Sequence, residues 1–120
     1  MRPSAHITTN YLADHGVWLI EVQGIHDITT SGRLGVTLRR FARVGRPIVV
    51  DLSRTRFVDA SIMQTLSAGR ADCELSGTSL RLVLAESRRP AAPADVRPLP
   101  AAFHWYATVA QALAPHGGRG

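Results

Sequence analysis

The sequence predicts an α/β domain in which helices pack on a mixed β-sheet. Three observations carry that expectation. Residues 17–22 and 48–52 are short, largely β-branched apolar runs, long enough for buried strands and too short for helices. They alternate with longer segments whose apolar residues recur at helical spacing. Glycine or proline marks the junctions, at Gly24, Gly45-Arg46-Pro47 and Gly77.

Residues 6–12 read as a first strand through Thr8, Thr9 and Tyr11. Asp14-His15-Gly16 turns the chain into the run 17–22, so the first two strands form a hairpin. Asp27 is placed as the N-cap of a helix over 28–44. In that helix Leu34, Leu38 and Phe41 form one buried stripe, and Arg33, Arg40 and Arg43 form a basic face. That face is read either as a solvated surface or as a docking surface. The central strand 48–52 is followed by a loop over 53–58. A second helix runs over 60–76, with Ile62, Met63, Leu66, Gly69 and Cys73 on one side.

A strand over 80–84 comes next, with Leu80, Leu82 and Leu84 on a shared face. Prolines at 90, 93, 98 and 100 exclude a long helix from residues 88–100, where at most a short one is expected. Residues 103–106 form a last strand. Thr108 caps a final helical turn or two, with Val109, Ala112 and Leu113 inward. The order is β-β-α-β-α-β-(broken segment)-β-α. Strands alternating with helices imply right-handed crossovers and a largely parallel sheet. The core is expected over residues 6–114, with 115–120 a flexible tail.

A chain of 120 residues with 45% hydrophobic residues is one domain, long enough for a core without metals or disulfides. The lone cysteine, Cys73, fits a reducing compartment. Neither a membrane-spanning run nor an export signal is read, so a cytoplasmic location is expected. All fourteen basic residues are arginine, and the formal net charge is +5. Arginines scattered from Arg2 to Arg119 argue against one nucleic-acid patch, and an acidic protein partner accounts for the sign equally well.

At the centre of the chain stand Ile48-Val49-Val50-Asp51-Leu52-Ser53, a loop ending in Phe57-Val58, and then Asp59-Ala60-Ser61. This segment resembles the core of STAS domains: an apolar strand ending in Asp-Leu-Ser, then an apolar pair before an Asp-Ser-Ser-Gly-Leu-type helix start. Gly24 and Asp27 match the family's Gly-x-x-Asp, and residues 106–113 resemble its closing strand and Ala-Leu helix. The likeness runs from about residue 6 to 114. For a stand-alone member it implies an anti-sigma factor antagonist, which binds a serine-kinase-type anti-sigma factor or related ATPase and is released by phosphorylation of the serine after the conserved Asp. It also implies an alternative, a scaffold or adaptor subunit of a larger signalling or lipid-transport assembly.

The position after Asp59 is Ala60, which has no hydroxyl to phosphorylate. Ser61 is left open as a first-turn helix serine, a displaced phosphoacceptor or a partner contact. Asp59 is a helix N-cap or part of the binding surface. The expected partner-binding set is Arg54, Arg56, Asp59, Ala60, Ser61, Ile62 and Met63. Arg54 and Arg56 also offer anion contacts for a small-ligand sensor. No cofactor, metal or catalytic residue is expected: the five histidines lack metal-ligand spacing with Cys73, and no Gly-rich phosphate loop is present.

Overall fold

The computed structural model describes residues 6–24, 28–56, 58, 60–89 and 103–114, with 28–30 as backbone. Five strands form one sheet in the order β1-β2-β3-β4-β5, with α1, α2 and α3 joined to it. The strands are β1 (His6–Leu12), β2 (Val17–Gly24), β3 (Ile48–Thr55), β4 (Leu80–Val83) and β5 (His104–Tyr106). The helices are α1 (Ile28–Ala42), α2 (Ala60–Leu75) and α3 (Val109–Leu113), and a 3-10 turn covers Glu86–Arg88. β1 pairs antiparallel with β2, as the hairpin requires, and β2 through β5 run parallel. The predicted order of elements is the observed order.

Alternation along the strands splits the core into two layers. Ile20, Val22, Ile48, Val50, Leu52, Leu80, Leu82 and Leu84 face α1 and α2 and join Leu34, Leu38, Ile62, Leu66 and Cys73. The opposite face is smaller: Val17, Val49 and Val83 pack with Ala112 of α3, flanked by Leu19, Tyr106, Val109 and Leu113. Trp18 stacks on Phe41 at 4.2 Å between centroids and 7° between planes, fastening the hairpin to the end of α1. Thr108 caps α3 as expected: its hydroxyl accepts from the Gln111 amide at 3.1 Å, and the Gln111 side chain accepts from the Ala107 amide at 3.0 Å.

Several boundaries differ from the sequence expectation. β3 continues through Ser53 and Arg54 to Thr55, where a loop was expected from residue 53. The extension is held from outside the strand: Arg88 Nη1 donates to the Ser53 carbonyl at 2.9 Å and Nη2 donates to the Thr55 carbonyl. The buried Thr55 hydroxyl donates to the Leu52 carbonyl at 2.7 Å. α1 stops at Ala42, not residue 44, because Val44 and Gly45 bond in the tighter i to i+3 pattern and Gly45 takes a φ of 84°. Asp27, the proline-rich residues from 90 onward and the tail 115–120 lie outside the described residues. Among the described residues no helix is long and apolar enough to cross a membrane.

α1 and α2 approach each other closely at Gly69, where a methyl group would lie 2.7 Å from Leu38 Cδ1. Gly69→Ala is therefore expected to lower stability by about 1–3 kcal/mol through overpacking. Gly32→Ala, on the exposed side of α1 with nothing within 4 Å of the added methyl, should raise stability by about 0.5–1 kcal/mol. Urea unfolding of both variants checks the pair, and a stabilised Gly69→Ala would contradict the packing.

Burial pushes the Cys73 thiol from its ordinary 9.0 up to about 11, with smaller contributions from Asp72 and Glu74. Between those pH values the unfolded chain has released this proton and the folded one has not, so stability falls as pH rises from 9 to 11. The stability curve of Cys73→Ala should be flatter than that of the parent over this window. The native thiol should also resist iodoacetamide at pH 8 until denaturant is added.

Candidate functional site

Parallel strands with helical crossovers bring the C-terminal strand ends together with the helix starts that follow them, and α/β folds commonly place their sites at this end. Here β2 ends at Gly24, whose φ of 94° suits a residue without a side chain. Its carbonyl accepts from the Arg56 amide at 3.0 Å, tying the end of β2 to the residue just beyond β3. Asp51, only 7% exposed, accepts from both the amide, at 2.9 Å, and the hydroxyl of Ser53. It orders the strand exit. Asp59 and Phe57 lie outside the described residues.

Of the expected contact residues, Arg54, Arg56 and Ala60 are exposed at this end, and Met63 is half-buried against the core. Ile62 is corrected. It was expected both on the packed side of α2 and in the contact set, but it is fully buried between α2 and the sheet and offers no side-chain surface. The reason is geometric: on a helix that buries Leu66, Gly69 and Cys73, position 62 falls on the same stripe.

Ser61 does not point where Ala60 does. Successive residues on a helix are turned by about 100°, and this rotation takes Ser61 from the solvent side toward α1. Its Oγ lies 2.6 Å from Oγ of Ser31 on the first turns of α1, and either hydroxyl can donate. Ser31 is 8% exposed. A hydroxyl pair thus joins the starts of the two helices. Neither Ser31 nor Arg88 was singled out in the sequence. Ser31 carried a usable signal, since it stands three residues before Leu34 on the stripe that Leu38 continues. Arg88 lay at the edge of a segment read as broken and carried none.

Among the described residues, no group of three or more His, Cys, Asp or Glu side chains comes together in a way that could hold a metal ion. The arrangement supplies instead an exposed, arginine-flanked helix start backed by hydrogen bonds. A double-mutant cycle of Ser31→Ala and Ser61→Ala should give a coupling of about 0.5–1.5 kcal/mol in urea unfolding, the size of one partly buried hydrogen bond. Strictly additive effects would mean that the pair contributes nothing.

The profile of the family described as "Mlab, STAS domain" matches residues 13–96, more than half of the chain. No curated protein sequence matches. Among solved structures, the chain is similar to an anti-sigma factor antagonist from Mycobacterium paratuberculosis, with TM-score 0.70, 23% identity and 92% of each chain covered. It is also similar to the anti-sigma factor antagonist SpoIIAA in its unphosphorylated form, with TM-score 0.64, 10% identity, and 89% of this chain and 93% of that one covered. A third similar structure is an antisigma-factor antagonist STAS domain from Rhodobacter sphaeroides, with TM-score 0.51, 19% identity, and 65% and 84% coverage. At such identities these likenesses speak for the fold, and the profile match speaks for the family. The five-stranded mixed sheet matches these neighbours in fold, and with the profile spanning residues 13–96 the chain belongs to the STAS domain family.

Proposed function

We propose that this chain is a cytoplasmic, non-catalytic regulator of the anti-sigma factor antagonist type. It binds a serine-kinase-type anti-sigma factor or related ATPase through the exposed start of α2 and the neighbouring arginines. The observation that carries the reading is the geometry at Ala60 and Ser61. The residue in the expected acceptor position is exposed and has no hydroxyl, while the adjacent hydroxyl is bonded to Ser31. Binding at this surface therefore proceeds without the usual phosphorylation switch. A phosphate adds about −1.5 to −2 charges at neutral pH, and such a charge is what would otherwise break the complex.

Arg54 and Arg56 support an acidic counterpart, since both are exposed and neither has an ion-pair partner among the described residues. Asp51 supports a binding role over an acid/base one, because its carboxylate is buried and its Oδ1 accepts from both the amide and the hydroxyl of Ser53, a turn-ordering arrangement. The missing hydroxyl at Ala60 also favours a second reading, a scaffold or adaptor subunit of a larger signalling or lipid-transport assembly, where no switch is needed.

Affinity capture with the full chain, followed by identification of the partner by mass spectrometry, separates the two readings. A kinase-fold anti-sigma factor supports the first and a transport ATPase the second; recovery of neither counts against both. Arg54→Glu with Arg56→Glu should weaken the complex by roughly tenfold or more if these rim charges steer it. Incubation of the captured pair with ATP should leave Ser61 unmodified, and stoichiometric phosphate there would overturn the switchless reading.

A further inference from the structure

The outer surface of α1 and α2, away from the sheet, carries a feature that the start of α2 does not account for. α1 contains no acidic residue, and Arg33, Arg39, Arg40 and Arg43 are all exposed on or just beyond it. Among the described residues the one ion pair is Arg70–Glu74 on α2, so these four guanidinium groups have no carboxylate partner there. Between the two helices lies an open groove of 430 Å³, lined on the α1 side by Gly35, Val36 and Arg39 and on the α2 side by Thr65, Ala68, Gly69 and, at one end, Asp72. Val36 is 52% exposed. Farther along α2, Ala71 and the 88% exposed Leu75 continue the exposed apolar positions past Ala68, with Asp72 and Glu74 between them.

We propose that this groove is a second docking surface, and that its occupant is an amphipathic helix of a partner protein bearing acidic residues beside an aliphatic stripe. Charge complementarity selects the sign on the α1 side: Arg39 in the groove, with Arg33, Arg40 and Arg43 exposed on the same helix or just beyond it, outweighs the single Asp72 across from it and calls for carboxylates along α1, which arginine binds in a planar fork. Shape selects the helix. A floor of glycine and threonine lets a third backbone approach, and Val36 and Ala68 receive alternate apolar side chains, the helix-in-groove mode. A second copy of this chain is disfavoured, because it would bring arginine against arginine. Nucleic acid would use the arginines and leave Val36, Ala68 and Leu75 without a role. A membrane surface fits poorly, since the exposed faces of α1 and α2 carry no aromatic residue to sit at the headgroup level. The inference does not depend on the reading of the α2 start.

The test uses the full chain, isotopically labelled, and a synthetic capped peptide of about 18 residues, five helical turns, with leucines at i, i+3, i+4 and i+7 and glutamates elsewhere. Amide shifts on titration should map to the facing sides of α1 and α2. Affinity should fall roughly tenfold in Arg39→Glu with Arg43→Glu, a loss of two charge partners. It should fall similarly in Ala68→Trp, which fills the groove without changing charge. All three residues are surface-accessible, and circular dichroism checks that each variant is folded. Binding unaltered by Ala68→Trp would overturn the proposal, because attraction would then be to charge alone. So would shifts that map elsewhere, no binding at all, or tighter binding to a DNA duplex or to vesicles containing phosphatidylglycerol.

Discussion

The distance between α1 and α2 is set at one point, where Gly69 lies under Leu38 with no room for a methyl group. Much else follows from that contact. Two helices that returned along the same face of the sheet with ordinary side chains between them would stand farther apart. Drawn together at Gly69, and again where Gly35 meets Thr65, they bring their starts close enough for the hydroxyls of Ser31 and Ser61 to bond. The same small residues that close the inner side of the helix pair leave a groove on the outer side. Packing and surface shape here have one cause, and it is the absence of side-chain atoms.

The second organising contact is more remote in sequence. Arg88 reaches back 35 and 33 residues to the carbonyls of Ser53 and Thr55 and satisfies backbone acceptors that have run past the end of β4. The extension is paired with β2 on one side, and on the side that β4 has left its carbonyls would face water without such a donor. Arg89 does a related job nearby, donating to the Leu84 carbonyl at 2.9 Å while its guanidinium covers the Trp105 ring at 5.6 Å. Two consecutive arginines thus define how far the central strands project toward the candidate site.

These contacts also mark the limit of what the sequence discloses. Leu34 with Leu38, and Ile62 with Leu66 and Cys73, were legible because burial imposes a period that the chain itself carries. β3 was legible as far as Leu52 for the same reason. Its last three residues were not, because Ser53, Arg54 and Thr55 are polar and are held as strand by pairing with the end of β2 and by the Arg88 side chain from another part of the fold. Ser31 and Ser61, thirty residues apart, are individually unremarkable serines, and only the approach of the helices makes them a pair. Ile62 shows the opposite failure. Proximity to Ala60 in the sequence suggested a shared surface, whereas helical rotation sends one to solvent and the other to the core.

That rotation bears on regulation as well. Moving a hydroxyl from position 60 to position 61 is not a small displacement along a binding surface, since it changes the side of the helix on which the hydroxyl stands. A kinase acting on Ser61 would first have to separate it from Ser31, leaving a nearly buried hydroxyl without its partner at a cost of about 1–3 kcal/mol. The new charge would then sit in the cleft between two helices rather than on the exposed side of α2. Phosphate at 61 would act first on the helix packing that Gly69 holds. At the start of α2, then, the exposed residue carries no hydroxyl and the hydroxyl next to it is turned into the packing between the helices.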